Sequence, residues 1–350
     1  FCICWLQLDK NFFLFFHIII SLNFFILFVT IILVQLEKRS IMAKEEFDFY
    51  DKTTLKSYNL DKSMQYQLNI LGSLDVFTRK HSENVASIVC RICQYLHLSK
   101  DFTEYCTICA YLHDIGKQFI PSSILQKQSA LTEEEFQIMK THTTIGYKIC
   151  MDDLKLRPYA AGPIYHHEAL NGVGYPNALV KNEIPLEGQI IRVADEFDAI
   201  ISKRQYKSHI EIIDTLKILL NECKPIENPD SYRVPVKDKS VGMLNPSIVK
   251  ALIKVLIDDT EYEISCIMDY LKDLKNDIKR LSEIEKKRQS ASDTKKQNYY
   301  LEGMKSLLVG FETVDNYSDV LNSYRKIVDE KSILIDKLFN EIKLFKKLKV

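Results

Sequence analysis

What this sequence lacks first is net charge: 47 lysines and arginines are matched by 47 aspartates and glutamates. Without a basic field there is no general attraction for nucleic acid, so DNA or RNA is not expected as a partner. An anionic ligand must therefore be held by local side chains. Alternating strand-like runs joined by hairpin turns are also missing, which leaves an all-α reading. The nine cysteines do not form the dense pattern of a small disulfide scaffold. They are read as thiols packed like small hydrophobes in a reducing, cytoplasmic compartment.

From Asn11 to Leu36 charged residues are absent altogether. That run is long enough to span a bilayer as a helix, and Lys38, Arg39 and Lys44 after it would keep that flank cytoplasmic. The competing reading is translated upstream sequence, because position 1 is not methionine and Met42-Ala43-Lys44 reads as an ordinary start. The expected organisation is an apolar segment over 1–41, which is either an inner-membrane anchor or spurious. A lead-in over 42–62, a helical domain over 63–258 and a helical extension over 259–350 follow. A membrane is a partner only on the anchor reading.

Against this background stand histidines and aspartates in a telling order: His81, His113-Asp114 within LHDIGK, His142 within KTHTTIG, His166-His167 within YHHEALNGVGYP, and Asp195 within RVADEFDA. Imidazole and carboxylate donors together suit iron, manganese or zinc. An adjacent His-Asp pair lets one carboxylate give an oxygen to each of two metals, so metal-assisted hydrolysis leads the functional readings. Each histidine alone is more often a hydrogen-bonded core residue than a ligand. Helical spacing surrounds them. Val85, Ile88, Val89, Ile92 and Leu96 follow His81, which is expected to open a helix. Thr132 and Glu135 predict a capping box before an inward stripe of Phe136, Met139, His142, Ile145 and Ile149. Glycine and proline gather in the loop from Asn171 to Pro176.

LHDIGK, the KxH block, HHExxNGxGYP and RVADxFDA together resemble the HD-GYP domain, a branch of the HD phosphohydrolases, over roughly Leu71 to Asp258. The resemblance implies an HD-type helical bundle that hydrolyses cyclic di-GMP to the linear dinucleotide and in some members GMP. By position, His81, His113, Asp114 and Asp195 would bind one metal, and Asp114 would bridge to a second held by His142, His166 and His167. The expected cofactors are two divalent ions, iron or manganese. Lys117, a short turn beyond Asp114, is placed to neutralise a phosphoryl oxygen, and with Asp114 forms the expected catalytic pair. Glu168 could orient a ligand histidine from behind. Gly174, Tyr175 and Pro176 resemble the substrate loop, with tyrosine offering a face to guanine. Arg204 and Lys207 match basic residues that contact the dinucleotide in family members.

Departures from the family pattern bear on substrate fit. Asn171 stands where aspartate is usual, which is expected to alter loop hydrogen bonding rather than metal binding. Phe77 replaces the glutamate that serves a third metal, which favours two metals. Leu244-Asn245-Pro246 replaces Phe-Asp-Pro, and 225–243 reads as an inserted polar loop. Cys90, Cys93, Cys106 and Cys109 have zinc-like spacing but lie in apolar helical runs, so packing is expected. Beyond Asp258, Ile264, Ile267, Leu271, Leu274, Ile278 and Leu281 make a heptad seam that Ile335, Leu338, Ile342 and Phe345 repeat. Glu283 to Lys296 is expected to be a linker between them. Such coiled-coil helices could form a homodimer or fold back as a hairpin. No receiver, PAS or GGDEF signature is present to name the regulatory input. Two alternatives stand beside cyclic di-GMP hydrolysis: hydrolysis of another cyclic dinucleotide such as cyclic GMP-AMP, and non-hydrolysing reception of cyclic di-GMP.

Overall fold

The computed structural model describes residues 76–202, 212–229, 234–307 and 317–348, all within one compact unit that spans 57–350. The apolar run 11–36, the lead-in, and the segment 203–211 with Arg204 and Lys207 lie outside the described residues, as does the Phe77 side chain. Among the described residues no helix is long and apolar enough to cross a membrane. There is also no strand, only an isolated bridge between Asn171 and Val180. The all-α expectation holds.

Helices α1 (Val76–Tyr95) and α2 (Lys100–Leu112) pack on each other and lead into a 3-10 turn over Ile115–Phe119 and the short α3 (Ser122–Leu125). Next come α4 (Glu133–Asp152), α5 (Ala161–Tyr165), α6 (Leu186–Ser202) and α7 (Ile212–Glu222). The chain ends with α8 (Pro246–Ser290), α9 (Thr294–Leu307) and α10 (Tyr317–Phe345). Local chemistry sets several starts. Ser99 Oγ accepts from Phe102 N at 3.2 Å, and Thr132 and Glu135 close the predicted capping box through bonds of 3.2 and 2.8 Å. At the head of α8, Asn245 Oδ1 accepts from Ser247 N at 3.0 Å with Pro246 in the first turn. The Leu-Asn-Pro departure thus keeps a cap, and its Leu244 is a core residue only 1% exposed.

The apolar stripe of α1 enters the core through Val85, Val89 and Ile92, against Ile190, Ile191 and Ala194 of α6 and Val249 and Leu252 of α8. This helix is described from Val76, so His81 lies at least a turn inside it rather than opening it. In α4 the buried residues are His142, Thr143, Gly146 and Cys150, whereas Phe136 is 39% exposed. The expected stripe is therefore rotated and covers only the second half of the helix. The first half overhangs the site instead of packing on the core. Cys90, Cys93, Cys106 and Cys109 are thiols outside any disulfide and have no exposure. Burial pushes the Cys106 and Cys109 thiols well up, which suits packing rather than ligation.

The expected boundary after Asp258 falls inside α8, a single helix of 45 residues. The stretch expected as a linker is mostly helix too, with only a short turn before α9. The heptad seam folds back within the chain. Leu281 meets Met304, Val320 and Leu321 at one end of the α8–α10 pair, and Ile264 shares the main core with Leu338, Ile342 and Phe345 at the other. Burying each of those last three side chains contributes about 2 kcal/mol. Together that is comparable to the whole margin of a typical domain, so α10 stabilises the unit it packs on.

Candidate metal centre

Seven side chains that are far apart in sequence converge beneath the first half of α4. His81 comes from α1, His113 and Asp114 from the end of α2, His142 from α4, His166 and His167 from the end of α5, and Asp195 from α6. His113 and His166 have no exposure, and Asp114 and His142 have 1%. Asp114 lies at the middle. Its Oδ2 is 3.2 Å from His113 Nε2 and 3.8 Å from His81 Nε2, while its Oδ1 is 3.5 Å from His142 Nε2 and 3.9 Å from His166 Nε2. Asp195 Oδ1 lies 3.0 Å from His81 Nε2, and its Oδ2 lies 4.0 Å from His167 Nδ1. Donors that share one ion at about 2.1 Å sit roughly 3 to 3.5 Å apart, so this spacing matches a ligand cage.

Three donor groups here could hold a metal: His81, His113 and Asp114; His142, His166 and His167; and His113, His166 and Asp195. His113 Nε2 and Asp114 Oδ1 are buried without a hydrogen-bond partner, as expected of atoms whose partner is an ion. Protonation states agree except at His81, where hydrogen bonds to Asp195 and Asp198 outweigh burial and push the imidazole up to about 10. Burial opposes ionisation of Asp114, but His113, Lys117 and His142 outweigh it and hold the carboxyl well below its ordinary range. Hydrogen bonding from His81 and the field of His113 do the same for Asp195. Burial drives His142, His166 and His167 down, so these imidazoles are neutral. Ionised carboxylates and neutral imidazoles are the forms that ligate.

The far side of three of the rings is held locally. His113 Nδ1 and His142 Nδ1 donate to Ala110 O and Met139 O, each at 2.6 Å, and His166 Nδ1 donates to Gly162 O at 3.0 Å. His81 Nδ1 instead meets Asp198 Oδ2 at 2.6 Å, and Asn84 Nδ2 donates to the other Asp198 oxygen at 3.1 Å. Sequence reasoning missed Asp198, although its place three residues after Asp195 puts both on one helix face. Asp198→Asn is expected to weaken metal affinity about 10- to 100-fold while the fold stays intact. Metal titration with circular dichroism as control checks this; unchanged affinity would make Asp198 merely structural.

Glu168 is a correction. Its carboxylate accepts from Asn177 N at 2.7 Å and Leu179 N at 2.9 Å, so it holds the loop after the His-His pair rather than a ligand histidine. Backbone carbonyls hold the Nδ1 atoms of His113, His142 and His166 in its place. Asn171 has no exposure, takes Val173 N on its Oδ1 at 3.3 Å, and through its carbonyl accepts from Lys237 N and Asp238 N. It belongs to the loop and to none of the donor groups. The segment after 233, read as an insertion, therefore braces this loop, and Lys181 adds ion pairing to Asp238 at 2.6 Å.

Two glycines let backbones touch. A Cβ on Gly116 would lie 2.0 Å from His142 O, and one on Gly174 would lie 2.3 Å from Ala169 N. The tight pass at Gly174 lays Tyr175 on the His167 ring, with centroids 4.7 Å apart and planes at 27°. Behind His167, the Arg192 guanidinium donates to His167 O at 3.3 Å and pairs with Glu196 at 3.2 Å. Burial and the Glu196 carboxyl push Glu222 up to about 9. Below the ordinary carboxyl value both folded and unfolded states carry that proton, but above it only the folded state does, so the group destabilises increasingly up to about pH 9. Glu222→Gln should accordingly raise Tm more at about pH 8 than at about pH 5. Equal gains in thermal melts at both would refute the shift.

This geometry defines an all-α domain built around a buried histidine–aspartate centre suited to metal ions. Residues 65–225 match the HD domain family. A cyclic di-GMP phosphodiesterase of Thermotoga maritima is 38% identical over 191 residues, covering 54% of this chain and 47% of that one. A cyclic di-GMP phosphodiesterase response regulator of Xanthomonas campestris is 34% identical over 175 residues, covering 49% and 44%. A 3'3'-cGAMP-specific phosphodiesterase of Vibrio cholerae is 33% identical over 152 residues, covering 42% and 29%. The chain thus spans about half or less of the length of these curated relatives. With its His-His-Glu and Gly-Tyr-Pro blocks, this segment is similar to the HD domain family and carries the blocks of its HD-GYP form.

Proposed function

We propose that this protein is a cyclic dinucleotide phosphodiesterase that opens cyclic di-GMP to its linear form. The observation that carries the reading is Asp114, whose two oxygens face two different sets of imidazoles. One set, His81, His113 and Asp195, would hold a first cation, and His142, His166 and His167 a second. Bound divalent ions, iron or manganese, supply Lewis acidity and an activated water at neutral pH. Lys117 Nζ, 2.5 Å from Asp114 Oδ2 and half-buried, brings a positive charge to the edge where a non-bridging phosphoryl oxygen would sit. Tyr175 fixes His167 by stacking. Arg204 and Lys207 are proposed to grip the substrate's phosphates or guanine edge. Two relatives named for cyclic di-GMP support the choice of base. The relative named for cGAMP keeps cyclic GMP-AMP as a second reading.

The test is anaerobic purification of the full chain with iron or manganese, then chromatographic assay of cyclic di-GMP and cyclic GMP-AMP. Faster turnover of cyclic di-GMP is the expected result. Binding without turnover under either metal would replace the enzyme with a receptor.

A further inference from the structure

The exposed ring of Phe136 is the one apolar residue of the predicted α4 stripe that the fold leaves beside the metal centre rather than under it. Its edge meets Tyr175 at 6.3 Å with the planes at 82°. Lys140, one turn on, places its ammonium 4.7 Å from the Phe136 centroid and 5.6 Å from that of Tyr175. Phe136 also borders an open cavity of about 680 Å³, lined among the described residues by Leu131, Thr132 and Glu133 as well.

Tyr175 is the residue from which guanine stacking was expected, but one face of its ring is covered by His167. Tyr175 therefore orients a ligand histidine, and the more exposed ring beside it is that of Phe136, one face of which carries the Lys140 ammonium.

Resting on the function proposed above, we infer that Phe136 and Lys140 form the nucleobase-receiving wall of the site. The phenyl face stacks on a purine, as base–aromatic platforms do without reading sequence. When a purine takes the phenyl face, the long Lys140 side chain turns off the ring and its ammonium meets the acceptor edge that guanine presents at O6 and N7. Adenine offers a donor at the position of O6, so Lys140 favours guanine over adenine at this subsite.

The experiment compares wild type, Phe136→Ala, Phe136→Trp and Lys140→Met, each as the full chain with manganese. Substrates are cyclic di-GMP, cyclic GMP-AMP and bis(4-nitrophenyl) phosphate, a diester with no nucleobase. Phe136→Ala should raise KM for cyclic di-GMP about tenfold or more, with bound metal at wild-type level. The ratio of kcat/KM for cyclic di-GMP to that for the nitrophenyl ester should fall by a similar factor, and Phe136→Trp should restore it. Lys140→Met should narrow the preference for cyclic di-GMP over cyclic GMP-AMP. An unchanged KM in Phe136→Ala, or an equal loss on both kinds of diester, overturns the inference. A wild type that cleaves only the nitrophenyl ester overturns the proposed substrate itself, and this wall with it.

Discussion

Asp114→Ala should empty both halves of the centre in a single step. Its two oxygens face His81 and His113 on one side and His142 and His166 on the other, whereas Asp195 meets the second set only through His167 at 4.0 Å. Without the carboxylate, five imidazoles face one another with Asp195 as the remaining anion of the donor groups. Metal content by elemental analysis is expected to fall for both sites together. Turnover should drop by at least about 10³-fold, since activated water and charge stabilisation are lost at once. Full metal content in the variant would refute the bridging role. Loss of half would mean that Asp114 serves one ion alone.

Lys117→Met is expected to separate charge from metal. Burial acts against the Lys117 cation, yet Asp114 and Asp195 outweigh it and keep the ammonium charged. The side chain is 23% exposed, so it can turn from the carboxylate toward a substrate oxygen. Metal content should stay near wild type while kcat falls about 10²- to 10³-fold, the usual cost of removing one donor to developing charge. KM should change far less, because the interaction strengthens in the transition state. Arginine should not rescue, since its planar fork does not reproduce a compact ammonium. If kcat survives, Lys117 is only the counter-charge of Asp114.

The site was legible in sequence because its donor types are scarce and chemically constrained: His113-Asp114, His166-His167 and Asp195 announce themselves by identity alone. What the sequence left open concerns packing partners. Periodicity places Phe136 on the His142 side of α4, but whether a core lies beneath its first turns depends on where the Gly-Tyr-Pro loop crosses. Glu168 was assigned to a histidine because carboxylates commonly support ligand rings. The backbone carbonyls of Ala110, Met139 and Gly162 had already taken those nitrogens, and carbonyls leave no mark in sequence. The heptad seam beyond Asp258 was visible, but its partner was not. A short seam fits a second copy or its own chain equally well, and the sequence does not show that Leu338, Ile342 and Phe345 are buried against the main core of their own chain.

Those carbonyl acceptors also set the terms on which this centre tolerates change. Each belongs to a residue three or four positions before the ring it holds, so the tautomer of His113, His142 and His166 is guaranteed by a single helical turn. A substitution that frays that turn, anywhere along it and touching no donor atom, loosens the ring and the cage with it. Helix propensity at Thr141 or Tyr111 is thereby converted into affinity for an ion, and random mutagenesis would find metal-binding defects at positions that hold no metal.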